Sequence, residues 1–230
     1  MIPPKYVLAF QDAKFISASA NSQCYVFSDR QQLIMKVCAF SDDSRREAFA
    51  REWKTQNKIY KLSLRKFGKS FVPKIKFNSI VHRDEIMQVS PTIAQKLRSQ
   101  PDTYGILIME SAGPATLRQA SSISRHAVAL RLLSVLAEFG FRHEDPHDGN
   151  FIVGEDGVKM IDFGDVVEIT PDEKRLVKSK TATEIIDYIY PNPYSRGVGN
   201  GNPPAPFTRR KKRERPLLEE FHHAQYANDR

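Results

Sequence analysis

The chain has 230 residues, 40% of them hydrophobic and 27% charged, with 35 Lys/Arg against 27 Asp/Glu and a net charge of +8. This composition excludes disorder along the whole length, and no run approaches the roughly 18 apolar residues of a membrane span. Cys24 and Cys38 alone cannot build a disulfide framework or a zinc site, and the amino terminus lacks a signal-peptide pattern, so a reducing, cytoplasmic setting is expected.

In chain order, short apolar runs at 14–18, 23–28 and 33–39 read as strands, the last two joined by a polar turn at 29–32. A helix follows the capping cluster Ser41-Asp42-Asp43-Ser44 and reaches about residue 62. Its apolar stripe is Phe49, Trp53, Gln56 and Tyr60. Glu52 lies roughly 70° from the centre of that stripe and borders the buried face, whereas Glu47, roughly 150° away, faces water. Two further strands are expected at 74–81 and 104–109, then a break at Gly113-Pro114. Residues 124–139 are apolar nearly all round and predict a buried helix. Residues 151–161 form a hairpin about a turn at 154–157. Thr170-Pro171-Asp172-Glu173 opens a last helix that runs to about 190.

Residues 191–230 are rich in Gly, Pro and Asn and predict a disordered tail. It carries eight basic residues against four acidic ones, concentrated in Arg209-Arg210-Lys211-Lys212-Arg213. Three readings stand: a solvated tail, a nuclear-import or nucleic-acid contact, and docking to an acidic protein.

The densest polar stretch is His143-Glu144-Asp145-Pro146-His147-Asp148-Gly149-Asn150, and Asp162-Phe163-Gly164 follows across the 151–161 hairpin. Here the chain resembles the protein-kinase-like superfamily. His143, Asp145 and Asn150 match its His-x-Asp-x-x-x-x-Asn catalytic loop, and Asp162, Phe163 and Gly164 its metal-binding tripeptide. The resemblance implies an α+β, bilobal fold: a small β-rich N-lobe at 1–110, a truncated helical C-lobe at 111–190 and the tail. It implies ATP with Mg²⁺ or Mn²⁺. Asp145 would act as the catalytic base, with Asn150 and Asp162 as metal ligands. Lys36 would hold the α/β-phosphates and Glu52 would position it, with Glu47 as the alternative and an exposed edge-strand lysine as the plain reading of Lys36. Met109 would sit at the gate of the adenine pocket, and the backbones of Glu110 and Ala112 would bond the adenine edge. His147 would either orient Asp145 or a phosphate, or simply pack.

The chain also departs from the common pattern. Residues 17–23, where the glycine-rich loop belongs, contain no glycine. Glu144 replaces the arginine of His-Arg-Asp, and only six residues lead from Gly164 to Thr170. These features resemble the compact atypical branch, which includes RIO-type kinases and the small kinase of the tRNA-threonylcarbamoylation complex. The Asp145-x-His147-x-x-Asn150 form is also similar to aminoglycoside and choline kinases. The expected function is an atypical Ser/Thr protein kinase acting on a protein substrate. A nucleotide-binding pseudokinase or scaffold and a small-molecule kinase are the alternatives. No membrane partner is expected.

Overall fold

The computed structural model describes residues 2–18, 22–27, 32–97, 101–120 and 123–190. The centre of the expected phosphate loop, 19–21, and the tail 191–230 lie outside the described residues. The chain divides into two units, one of Met1–Ala112 with Ile161–Val166, the other of Gly113–Met160 with the chain from Val167 onward.

The first unit is a five-stranded antiparallel sheet clad by helices. Its elements are α1 (Pro4–Gln11), β1 (Ala13–Ala18), β2 (Ser22–Phe27), β3 (Leu33–Ala39), α2 (Asp43–Phe67), β4 (Ile75–His82), α3 (Arg83–Val89), α4 (Pro91–Lys96) and β5 (Thr103–Glu110). Strand order is β1-β2-β3-β5-β4. The period-2 alternation of a strand sorts side chains between two faces. Met35 and Val37 of β3, with Tyr104, Ile106 and Ile108 of β5, enter one core with Tyr6 and Phe10 of α1, Ile86 of α3 and Ile93 and Ala94 of α4. The opposite face carries Leu107 and Met109 against Phe40 and Phe49, with Ile34, Cys38, Trp53 and Ile75 packed beside them.

Helix α2 starts where Asp42 accepts the Arg45 N–H at 2.9 Å and ends at Gly68, whose left-handed φ of 71° closes a bond to the Leu64 carbonyl. It is five residues longer than its sequence pattern suggests, and its buried stripe is Phe49, Glu52, Gln56, Ile59 and Ser63. Trp53 and Tyr60 are only half-buried. The pattern misleads because polar residues occupy the true seam, each with a partner. Gln56 donates to the Pro73 carbonyl at 2.9 Å, and Ser63 donates to the Tyr60 carbonyl at 2.9 Å.

The second unit holds β6 (Ala115–Thr116), α5 (Leu117–Ala120), α6 (Ile123–Glu138), β7 (Phe141–His143), β8 (Phe151–Gly154), β9 (Gly157–Met160), α7 (Pro171–Lys178) and α8 (Ala182–Ile189). β6, β8 and β9 form an antiparallel sheet, with the expected turn between β8 and β9. The carboxy-terminal half of α6 is buried on all sides from Leu132 to Ala137. The single helix expected from Thr170 to 190 is two helices. Thr181 caps α8 through the Glu184 N–H, and Glu184 returns a bond to the Thr181 N–H at 2.8 Å. This second capping box restarts the helix where a single periodic reading runs straight on.

Candidate functional site

In the first unit, the ammonium of Lys36 on β3 lies 2.6 Å from Glu52 Oε1 of α2 and 2.8 Å from Asp162 Oδ1. The Lys36 side chain is 13% accessible, Glu52 7% and Asp162 48%. Burial disfavours the charge on Lys36, but Glu52 and then Asp162 more than offset it and raise its pKa above an ordinary lysine's. Burial pushes the Glu52 carboxyl up and Lys36 pulls it back. Glu47 is exposed and pairs with Arg51 at 3.7 Å, so of the two glutamates only Glu52 meets the lysine.

Asp162 has φ 62°, the one positive φ among the described non-glycine residues. Aspartate tolerates that region better than most residues. Phe163, 1% accessible, anchors the short turn Phe163–Asp165 that follows. Cys24 stands opposite Lys36 in the β2–β3 register, and Cys38 lies two residues on along the same face. Burial raises the Cys24 thiol and pushes Cys38 up to about 12, so both remain neutral packing groups rather than nucleophiles.

At the end of β5, Met109 is nearly buried, and Gln56 Nε2 approaches its sulfur at 3.8 Å. The Glu110 N–H is spent on the Lys74 carbonyl at 2.9 Å and the Ser111 N–H on the Gln32 carbonyl at 2.6 Å. Of the two backbones expected to meet adenine, that of Glu110 therefore has its N–H already bonded within the protein. The Glu110 side chain points to Lys76, 2.7 Å away.

In the second unit, the 143–150 loop is knitted by its own polar groups. The Asp145 carbonyl accepts the His147 N–H at 3.0 Å and Asn150 Nδ2 at 2.9 Å. That bond orients the Asn150 amide, so Oδ1 is the atom that could hold a metal. His147 Nδ1 accepts the Gly149 N–H at 2.9 Å, so the neutral ring carries its proton on Nε2, which lies 3.4 Å from Asp145 Oδ2. His143 is buried, and its backbone N–H donates to the Tyr190 hydroxyl at 3.2 Å. Burial raises the pKa of that hydroxyl.

Pattern reading missed four polar contacts. Gln56 backs Met109; His126 Nε2 lies 3.2 Å from Asp148 Oδ2; Arg142 binds Glu144 at 2.6 Å and Glu173 at 2.8 Å. Glu144 thus has a cation of its own where His-Arg-Asp kinases carry one. Only its charge, opposite to the usual arginine, signalled this in the sequence.

An antiparallel sheet with a helix supplying Glu52 to the strand lysine, followed by a hairpin bracketed by Asp145/Asn150 and Asp162, defines a protein-kinase-like molecule. The family model of the ABC1 atypical kinase-like domain matches residues 70–187, just over half of the sequence. The chain belongs to that family. Among solved structures it is similar to vaccinia related kinase 3, at 21% identity and a TM-score of 0.45, over 70% of this chain and 49% of that one. It is also similar to the bifunctional kinase-methyltransferase WbdD, at 17% identity and a TM-score of 0.43, over 69% of this chain and 33% of that one. It spans about half and a third of those chains. No curated protein sequence matches it.

Proposed function

We propose that the chain is an ATP- and Mg²⁺-dependent phosphotransferase that passes the γ-phosphoryl group to a Ser or Thr hydroxyl of a protein. The observation that carries this reading is the simultaneous pairing of Lys36 with Glu52 and Asp162. An ammonium fixed by one buried carboxylate and touching a second, half-exposed one is poised to bind phosphate oxygens beside a metal ligand. Asp162 and the Asn150 amide oxygen are hard donors that suit Mg²⁺ or Mn²⁺. The metal, when bound, would neutralise charge on the phosphates. Asp145, 44% accessible, is free to orient the acceptor hydroxyl and take its proton, and the His147 ring lies beside it, Nε2 3.4 Å from Oδ2.

The second reading, a nucleotide-binding protein without transfer, is favoured by the absence of glycine from residues 17–23. Transfer from γ-labelled ATP, with Mg²⁺ or Mn²⁺ and a generic protein acceptor, separates the two. Wild type should label protein, and Asp145→Asn and Asp162→Asn should each lose about 10²–10⁴-fold. ATP binding without label would select the second reading. Label passing only to an aminoglycoside or choline would move the acceptor to a small molecule.

A further inference from the structure

Between Glu52 and Asp84 the chain has nine Lys/Arg and no Asp or Glu, more positive charge than the +8 of the whole molecule. All of these residues belong to the first unit. Five cations form one row on α2: Arg51, Lys54, Lys58, Lys61 and Arg65, every one exposed. Each follows a member of the buried stripe, Phe49, Glu52, Gln56, Ile59 and Ser63, by two residues. Two residues are about 200° of helix, so the row occupies the face opposite the core.

The row steps by three or four residues, about 4.5–6 Å, and extends about 21 Å. Neighbours of like charge at these spacings destabilise a helix. An ordinary solvated face mixes signs. Here Glu47 lies 3.7 Å from Arg51, with both side chains well exposed, and Lys54 lies over the Trp53 ring, 5.7 Å from its centroid.

We infer that the outer face of α2 binds the phosphate backbone of a nucleic acid. A single line of cations matches a line of phosphates, whose counterions are released on neutralisation. The row contains no apolar side chain, and Phe49 and Ile59 of the same helix are buried in the core, so α2 has no apolar stripe along its row to insert into a lipid surface.

The test uses the full chain with a labelled single-stranded RNA and a labelled DNA duplex, each of about 20 nucleotides per strand, across 50–200 mM salt. The variant Lys54→Gln/Lys58→Gln/Lys61→Gln/Arg65→Gln changes only exposed side chains, and its fold is checked by circular dichroism. Its affinity should fall at least about tenfold, and the slope of log K against log salt should flatten by about three. The ratio of RNA to DNA affinity names the natural form. Unchanged affinity and slope would overturn the inference, as would loss of binding only when Arg209–Arg213 of the tail are neutralised instead. Preference for polyglutamate or for vesicles containing phosphatidylserine over both nucleic acids would also overturn it.

Discussion

Lys36 is held from two sides, and the two carboxylates differ in what they cost to leave alone. Glu52 is buried and Asp162 is half-exposed. Replacing Lys36→Met strands a buried carboxylate and should lower unfolding free energy by about 3 kcal/mol, measured in urea. Lys36→Met/Glu52→Gln should recover much of that stability while transfer stays absent. Equal stability of Lys36→Met and wild type would rule this account out. A second residue-level expectation concerns Gly149, where an added Cβ would lie 2.6 Å from the His147 ring. Gly149→Ala should displace the ring, lowering kcat about 10–100-fold with little change in KM for ATP. An unchanged kcat would show that the ring's position is immaterial. Lys36 was legible because a lysine amid Ile34, Met35 and Val37 has few other uses. Glu52 followed from helix geometry. Gln56 and the Arg142 network escaped because a satisfied polar contact has no periodic signature.

Thr170 and Thr181 carry the same capping box, yet only the first, with Pro171 at the first helical position, was expected to begin a helix. Thr181→Ala should therefore cost about 1 kcal/mol, seen as a lower urea midpoint. No loss would mean that α8 is held by packing alone. Helices α1, α3 and α4 were not anticipated. They have six to eight residues, too few for a face to show in sequence, and packing on the sheet stabilises them instead. Glu173 gives a pH test. The Thr170 N–H, with lesser help from the Thr170 side chain and Arg142, holds its carboxyl below the usual range near 4.5. Its contribution is complete above that range and is lost as pH falls through the lower folded value. Glu173→Gln should lose less stability than wild type between about pH 5 and 3, by about 0.5 kcal/mol. Parallel acid profiles would contradict this.

Across the molecule, charge is sorted rather than mixed: the stretch between Glu52 and Asp84 is purely basic, and the remainder outside the tail is net acidic. Crowded cations on α2 repel one another, and salt relieves that repulsion. The wild-type Tm should therefore rise between about 20 and 200 mM salt, and the four-glutamine variant should start higher and respond less, the difference reaching about 1–2 kcal/mol. A variant no more stable at low salt would sink this view. The strand pattern and the motif residues were legible in the sequence. This charge segregation is also present in the sequence, spread over about thirty residues where the tail's run is packed into five. The two faces of the first unit's sheet have a last consequence. The larger aromatic and aliphatic core lies on the face turned away from Lys36, so damage such as Asp162→Asn spares the scaffold. A cell carrying such an allele beside a normal one would accumulate intact but silent copies. On the proposed readings, these would still occupy whatever the basic helix grips and compete there with the working copy.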